Sequence, residues 1–422
     1  MILLPNVTPE MLDADFWLAR LGDPDAPLLD AEGIRRFNAH VIQTLNLPNP
    51  LDLAETLPAE TVREAMTPPA ADETYFSVTG APYTAQAWEA IQANMALDAI
   101  PAQVHVRWGL VTQRTPLRAY PSLAAGMDRP GAFFFDRFQG TTIDLGWPAA
   151  VAHTSADRRW YFALAPLYWG WVQAGDVALA EGREPVRRFV DSELFAVAVG
   201  SRAGVATPDG SPALAQMGTR LPITGRDDVA LRVAVPVRDA TGRLAFTEGY
   251  IAHDNPDWHA GYLPCTARTV LNQAFRLLGE PYAWGGWRIG GFGRDCSRMV
   301  QDVWATAGVR LPRNSRQQAS VGVTALRFDP DDPPGARAAA LAAQAPPASL
   351  LMLPGHVMLY LGAVNGNPYA IHDLWNFNHA DGRVTVVGAV VVSDLGGGPS
   401  AKRHTLLERL THVQVVGEER PA

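Results

Sequence analysis

Residues Glu280 to Gln301 read E-P-Y-A-W-G-G-W-R-I-G-G-F-G-R-D-C-S-R-M-V-Q. An aromatic run (Tyr282, Trp284, Trp287) passes into a loop carrying five glycines, then into Arg294-Asp295-Cys296-Ser297. A helical pattern follows at once, because Met299, Val300, Val303, Trp304 and Ala307 fall at i, i+1, i+4, i+5 and i+8 and so share one apolar stripe. That spacing puts Cys296 at a helix N-terminus, where unpaired N–H groups and the helix dipole favour a thiolate. A lone cysteine is more often a small buried hydrophobe. A structural cysteine, however, needs no glycine-rich approach and no flanking Asp and Ser.

A nucleophilic thiol needs a base, and one lies downstream. Ser349 to Leu353 reads as a short apolar strand, Pro354-Gly355 turns, and His356 to Gly362 reads as a second strand. Alternation places His356, Met358 and Tyr360 on one face. A third strand, Tyr369 to His372, ends on another histidine, with Asp373 after it. Cysteine at a helix start, then histidine on following strands, is the chain order of the papain-like arrangement.

Taken together, P-Y-A-W-G-G, D-C-S, L-P-R-N-S-R-Q-Q (Leu311 to Gln318), G-H-V-M-L-Y-L-G and I-H resemble the NlpC/p60 family of bacterial cell-wall cysteine peptidases. The likeness covers roughly the last 165 residues. Upstream, R-T-P-L-R (Arg114 to Arg118), Tyr161-Phe162 and G-W-V (Gly170 to Val172) resemble the SH3-like domains of that family's multidomain branch. Met217 to Pro222 resembles part of a second such barrel, and Asp15 to Arg20 the helical stabilising segment. Two more residues than usual lie between Trp287 and Asp295.

The implied fold is α+β: a papain-like peptidase domain (257–422) after a helical segment (1–102) and two SH3-like barrels (103–180 and 181–256). The resemblance implies a peptidase that cuts the γ-D-glutamyl bond to meso-diaminopimelate or L-Lys in murein stem peptides, through a thioester. Cys296 is then the nucleophile, His356 the acid–base and His372 its orienting partner, with the Tyr282 hydroxyl at the oxyanion. Asp295, Ser297, Asn314, Ser315 and, from the barrel, Tyr168 would receive the free amine of an N-terminal L-Ala. The competing reading is that Asn314 and Ser315 only cap a turn. Two rival functions remain: a cell-wall peptide-binding protein, and a thiol amidase or acyltransferase.

With 422 residues, 47% hydrophobic and 18% charged, the chain has room for about two to four domains. A net charge of −8 argues against a nucleic-acid surface. Cys265, beside Cys296 the only other cysteine, has no flanking chemistry and reads as structural. No apolar run approaches a membrane span. Met1 to Pro5 lacks a basic n-region and cleavage site, so a cytoplasmic protein is expected, or one of the periplasm and envelope if the N-terminus is incomplete.

Met1 to about Ala102 shows helical spacing, with Asp30 a plausible cap; Val104 to Val177 and Glu184 to Asp254 show short alternating strands. The glycine runs at 290–293 and 396–399 lack the strand or Gly-Lys-Ser/Thr of nucleotide loops. His372 and His379 hint at a metal, yet no Cys or carboxylate set completes a tetrahedron. Neither metal nor organic cofactor is expected, and the expected state is a monomer.

Overall fold

The computed structural model describes residues 2–66, 74–166, 168–287, 293–379, 383–396 and 404–417. They form two compact units, one of Met1–Asn46, Tyr262–Ala283 and Gly290–Ala422, the other of Leu47–Gly261 and Trp284–Ile289. The helical segment expected over 1–102 is divided between the two.

The first unit is built on a six-stranded sheet. Its strands are β1 (Val323–Arg327), β2 (Leu350–Leu353), β3 (His356–Val364), β4 (Asn367–Asn378), β5 (Val384–Asp394) and β6 (His412–Val415), in spatial order β1-β6-β2-β3-β4-β5 and antiparallel throughout. Pro354-Gly355 closes the β2–β3 hairpin directly, with Leu353 paired to His356 and Gly355 at φ +78°. Proline followed by a glycine of positive φ is type II turn chemistry, and it fixes where His356 enters the sheet. The valine runs at 384–387 and 390–392 lie in one strand, β5, with a bulge against Leu374/Asn376.

The helices of this unit are α1 (Ala14–Leu18), α2 (Ala31–Leu45), α3 (Ala267–Phe275), α4 (Cys296–Ala305), α5 (Ser315–Gln318), α6 (Pro334–Gln344) and α7 (Leu406–Arg409). Asp30 caps α2 through Gly33 N–H, as its sequence position foretold. The apolar stripe of α4, with Met299, Val300, Val303 and Trp304 buried, packs on β3 and β4. A second cluster, of Leu341, Met358, Tyr360, Ala370, Leu395, Leu407 and Leu410, joins the sheet to α6 and α7. The N-terminal stretch is part of this core. Trp17, 1% exposed, donates to Met11 O at 2.9 Å and lies 5.4 Å from the Tyr369 ring, and the Tyr369 hydroxyl donates to Asn6 O at 2.8 Å.

The second unit holds a seven-stranded sheet, in order Gln139–Ile143, Thr115–Arg118, Trp169–Gln173, Trp160–Leu164, Pro148–Thr154, Arg107–Val111 and Val177–Leu179. It also holds a five-stranded sheet from Phe195–Ala198 to Trp258–Ala260 and a hairpin of Arg202–Val205 with Ala213–Gln216. Helices Ala59–Ala65 and Ala85–Met95 share one core with both, since Val62, Ile91, Met95, Trp171, Leu221 and Ile251 belong to one cluster. One departure from the all-β reading is a helix over Glu184–Val190, where Pro185 opens the first turn and Val186 and Phe189 are the buried residues.

The loop Trp284–Gly286 belongs to this second unit. Gly285 and Gly286 sit at φ +64° and +76°, and Gln139 and Arg114 donate to their carbonyls at 3.3 and 2.8 Å. A Cβ on Gly285 would meet Gln139 Cγ at 2.5 Å, so glycine is required there. The extra residues after Trp287, and both nucleotide-like glycine runs in part, lie outside the described residues.

Candidate active site

Cys296 is the first residue of α4, and Asp295 is its N-cap, accepting from Arg298 N–H at 2.9 Å. The backbone N–H of Val357, the residue after His356, favours the thiolate of Cys296. The imidazoles then form a chain: His356 Nε2 lies 2.6 Å from His372 Nδ1, and His372 Nε2 lies 2.8 Å from Ser393 Oγ. His372 and Ser393 are fully buried and Cys296 is 7% exposed.

This burial changes the expected resting state. Removal from water, then the neighbouring Asp295, pushes the Cys296 thiol up to about 12, against which the Val357 N–H and Arg313 work. Burial, then the positive Arg409, pulls His356 down to about 4, and His372 also lies well below the usual histidine range. A helix terminus contributes about 0.3–1 kcal/mol. Burial can move a group by about 3–5 pKa units, several times more. Both shifts favour the neutral thiol and the neutral imidazole, and so work against the thiolate that the helix start favours.

Asp295 and Ser297 are brought beside the cysteine but are already engaged. Arg313 grips Asp295 through both nitrogens at 2.9 and 2.7 Å and reaches Ser297 Oγ at 3.0 Å. Burial opposes the charge on Asp295, but Arg313 and the Arg298 N–H hold its carboxyl below the usual range. Asn314 is the N-cap of α5, accepting from Gln317 N–H at 2.9 Å, and Ser315 is that helix's first residue. Asn314 therefore does the capping work of the competing reading. Tyr168 lies in the other unit, packed against the Val111, Leu117 and Val177 cluster.

Tyr282 is 8% exposed, its ring 5.5 Å from Trp375. Burial, then Asp295, Cys296 and Asp373, raise its hydroxyl far above the ordinary tyrosine value, so it is a permanent donor within electrostatic reach of the cysteine. Below the site, Arg294 and Arg298 share Asp302 at 2.9 and 2.6 Å, and Arg294 also pairs with Glu280 at 3.3 Å. Asp373 is buried and, among the described residues, neither of its oxygens has a hydrogen-bond partner. It is not hydrogen-bonded to His356. His379 engages Thr385 Oγ1 at 2.7 Å, away from any shared set with His372. Cys265, also a free thiol, is pushed up to about 11 by burial.

Ser393 and the Val357 N–H were not singled out in the sequence. Ser393 is hidden in a valine-rich strand, and its meeting with His372 depends on strand register.

A cysteine opening a helix that packs on an antiparallel sheet, with two histidines on adjacent strands, is the layout of a papain-like α+β thiol-hydrolase domain. Residues 279–379 match the NlpC/P60 family and residues 124–173 match the SH3 domain of SH3b1 type, so the chain carries an NlpC/P60 domain together with an SH3 domain. Among curated proteins it is 31% identical over 106 residues to a gamma-D-glutamyl-L-lysine dipeptidyl-peptidase of Bacillus cereus, covering 25% of this chain and 29% of that one. It is also 31% identical over 140 residues to a probable endopeptidase of Mycobacterium tuberculosis, covering 32% and 33%. The chain thus spans about a third or less of the length of these two relatives. The solved structure of an NlpC/P60 endopeptidase from Photobacterium damselae subsp. piscicida shares the fold over 99% of both chains, with a TM-score of 0.76 at 19% identity.

Proposed function

We propose that this protein is a cysteine peptidase that hydrolyses the γ-D-glutamyl bond to meso-diaminopimelate or L-Lys in murein stem peptides. The observation that carries the catalytic part is the placing of Cys296 at the start of α4, which packs on β3 and β4, the two strands that hold the His356–His372 contact of 2.6 Å. The bond specificity is supported by the name of the Bacillus cereus relative.

The chemistry follows from the donors. His356 takes the Cys296 proton as sulfur attacks the γ-glutamyl carbonyl carbon. The oxyanion is met by the Cys296 backbone N–H and the Tyr282 hydroxyl. His356 returns the proton to the leaving nitrogen, the C–N bond breaks, and the diamino acid departs as an amine. Water, deprotonated by His356, then attacks the thioester carbonyl, and the C–S bond breaks to release the dipeptide and the thiol. His372 accepts from His356 Nε2–H throughout, so the imidazolium is oriented and stabilised. A preference for peptides with a free L-Ala amine is carried by the resemblance in domain order, since Asp295, Ser297 and Asn314 already hold protein partners.

Incubation with L-Ala-γ-D-Glu-meso-diaminopimelate followed by mass spectrometry tests the reading. The expected products are L-Ala-γ-D-Glu and free diaminopimelate. An intact tripeptide would overturn it in favour of a binding protein, and a product joined to an added amine would make it a transferase.

A further inference from the structure

We propose that Ser393 is a fourth member of the catalytic line, a positioning residue whose hydroxyl oxygen selects the tautomer of His372. The inference rests on the cysteine–histidine reading above and extends it by one residue.

Strand register brings the three side chains together. His372 pairs with Val391 across β4 and β5, so Ser393 is its diagonal neighbour on the same face. Continuing the Leu359–Ile371 pairing by one residue sets Met358 opposite His372, which makes His356 the diagonal neighbour on the other side. The three residues form an oblique row across β3, β4 and β5. Met358, Ala370 and Leu395, which flank the row on that face, lie in the cluster closed over by α6 and α7. His372 and Ser393 are both 0% exposed, so water does not choose the tautomer for them.

Proton placement then decides the chemistry. For His356 to act as base through Nδ1, its proton must sit on Nε2 and be donated to His372 Nδ1 at 2.6 Å. His372 must then carry its own proton on Nε2, which faces Ser393 Oγ at 2.8 Å, and Ser393 must accept. Without an acceptor there, the opposite tautomer becomes the better one. His372 would then donate from Nδ1 to His356 Nε2, leaving the His356 proton on Nδ1 and abolishing its use as a base.

The test uses the full chain, with Ser393→Ala and, as rescue, Ser393→Thr. In wild-type protein, long-range 1H–15N correlation of His372 should show the proton on Nε2. The proton on Nδ1 would overturn the proposal, whatever the variants do. In Ser393→Ala the proton should move to Nδ1, and iodoacetamide labelling of Cys296 at pH 7 should slow about tenfold. With tripeptide, kcat should fall by a similar factor at unchanged KM, and Ser393→Thr should restore all three readouts. Wild-type labelling and an unmoved tautomer in Ser393→Ala would also overturn it, as would a Ser393→Thr protein that is folded yet as impaired as Ser393→Ala. The tautomer and labelling readouts need no peptide, so they decide the role of Ser393 even if the tripeptide is not a substrate.

Discussion

His356 and His372 differ in what they are asked to supply. In the proposed mechanism His356 moves the proton at each step, whereas His372 orients it through the contact of 2.6 Å. Both substitutions by alanine should slow turnover, but His372→Ala by about 1–2 orders of magnitude less than His356→Ala. Equal losses, or a wild-type rate in His372→Ala, would remove His372 from the line. Asp373 gives a second prediction, of stability. Burial, then the nearby Asp295, raises its carboxyl well above the usual range, with Arg294 opposing and Glu280 adding. Above about pH 4 the unfolded chain releases this proton while the folded chain keeps it, so the residue destabilises the fold increasingly as pH rises towards its folded value. Asp373→Asn should therefore match wild type near pH 3.5 and gain stability towards neutrality, by up to about 1.4 kcal/mol per pH unit, read in denaturant unfolding. A pH-independent difference between the two would contradict this.

Among the elements, those fixed by local chemistry were legible in advance. The period of Met299, Val300, Val303 and Trp304 gave α4, and Pro354-Gly355 gave the hairpin that delivers His356. Strands β1 and β6 escaped notice because Val323–Arg327 and His412–Val415 are short and find each other only through the folded sheet. The opposing pull of burial on the thiol was not legible for a related reason: sequence shows the helix start, but burial is a property of the packed unit. The same holds for Asp295, whose Arg313 partner comes from the loop before α5. Trp17 marks how far the N-terminal stretch is integrated. Fully buried against Tyr369, it should cost about 3–5 kcal/mol when replaced by alanine. Thermal or denaturant unfolding of Trp17→Ala checks this, and a loss under about 1 kcal/mol would mean that the stretch only rests on the sheet.

At the scale of the whole molecule, the motifs revealed the α+β class and the NlpC/P60 and SH3 domains, because both carry aromatic and glycine signals at fixed spacing. They did not reveal that Leu47–Gly261 forms one unit with a shared core, since Val62, Trp171 and Ile251 meet only in three dimensions. The proposed free-amine preference rests on the resemblance in domain order. If it holds, kcat/KM for L-Ala-γ-D-Glu-meso-diaminopimelate should exceed that for its N-acetyl form by about a hundredfold or more, the loss expected when a buried amine site is left unpaired. Comparable values would indicate an enzyme of intact murein.

The central claim is that the Cys296 thiol performs the cleavage. Its most direct measure is the rate of diaminopimelate release from the tripeptide by wild-type protein and by Cys296→Ala, compared at matched melting temperatures. Loss of the nucleophile should lower that rate by at least about a thousandfold, since Ser297, the hydroxyl next to it on α4, is held by Asp295 and Arg313. A Cys296→Ala protein that is folded and within tenfold of wild type would contradict the account, and would move the chemistry to another residue.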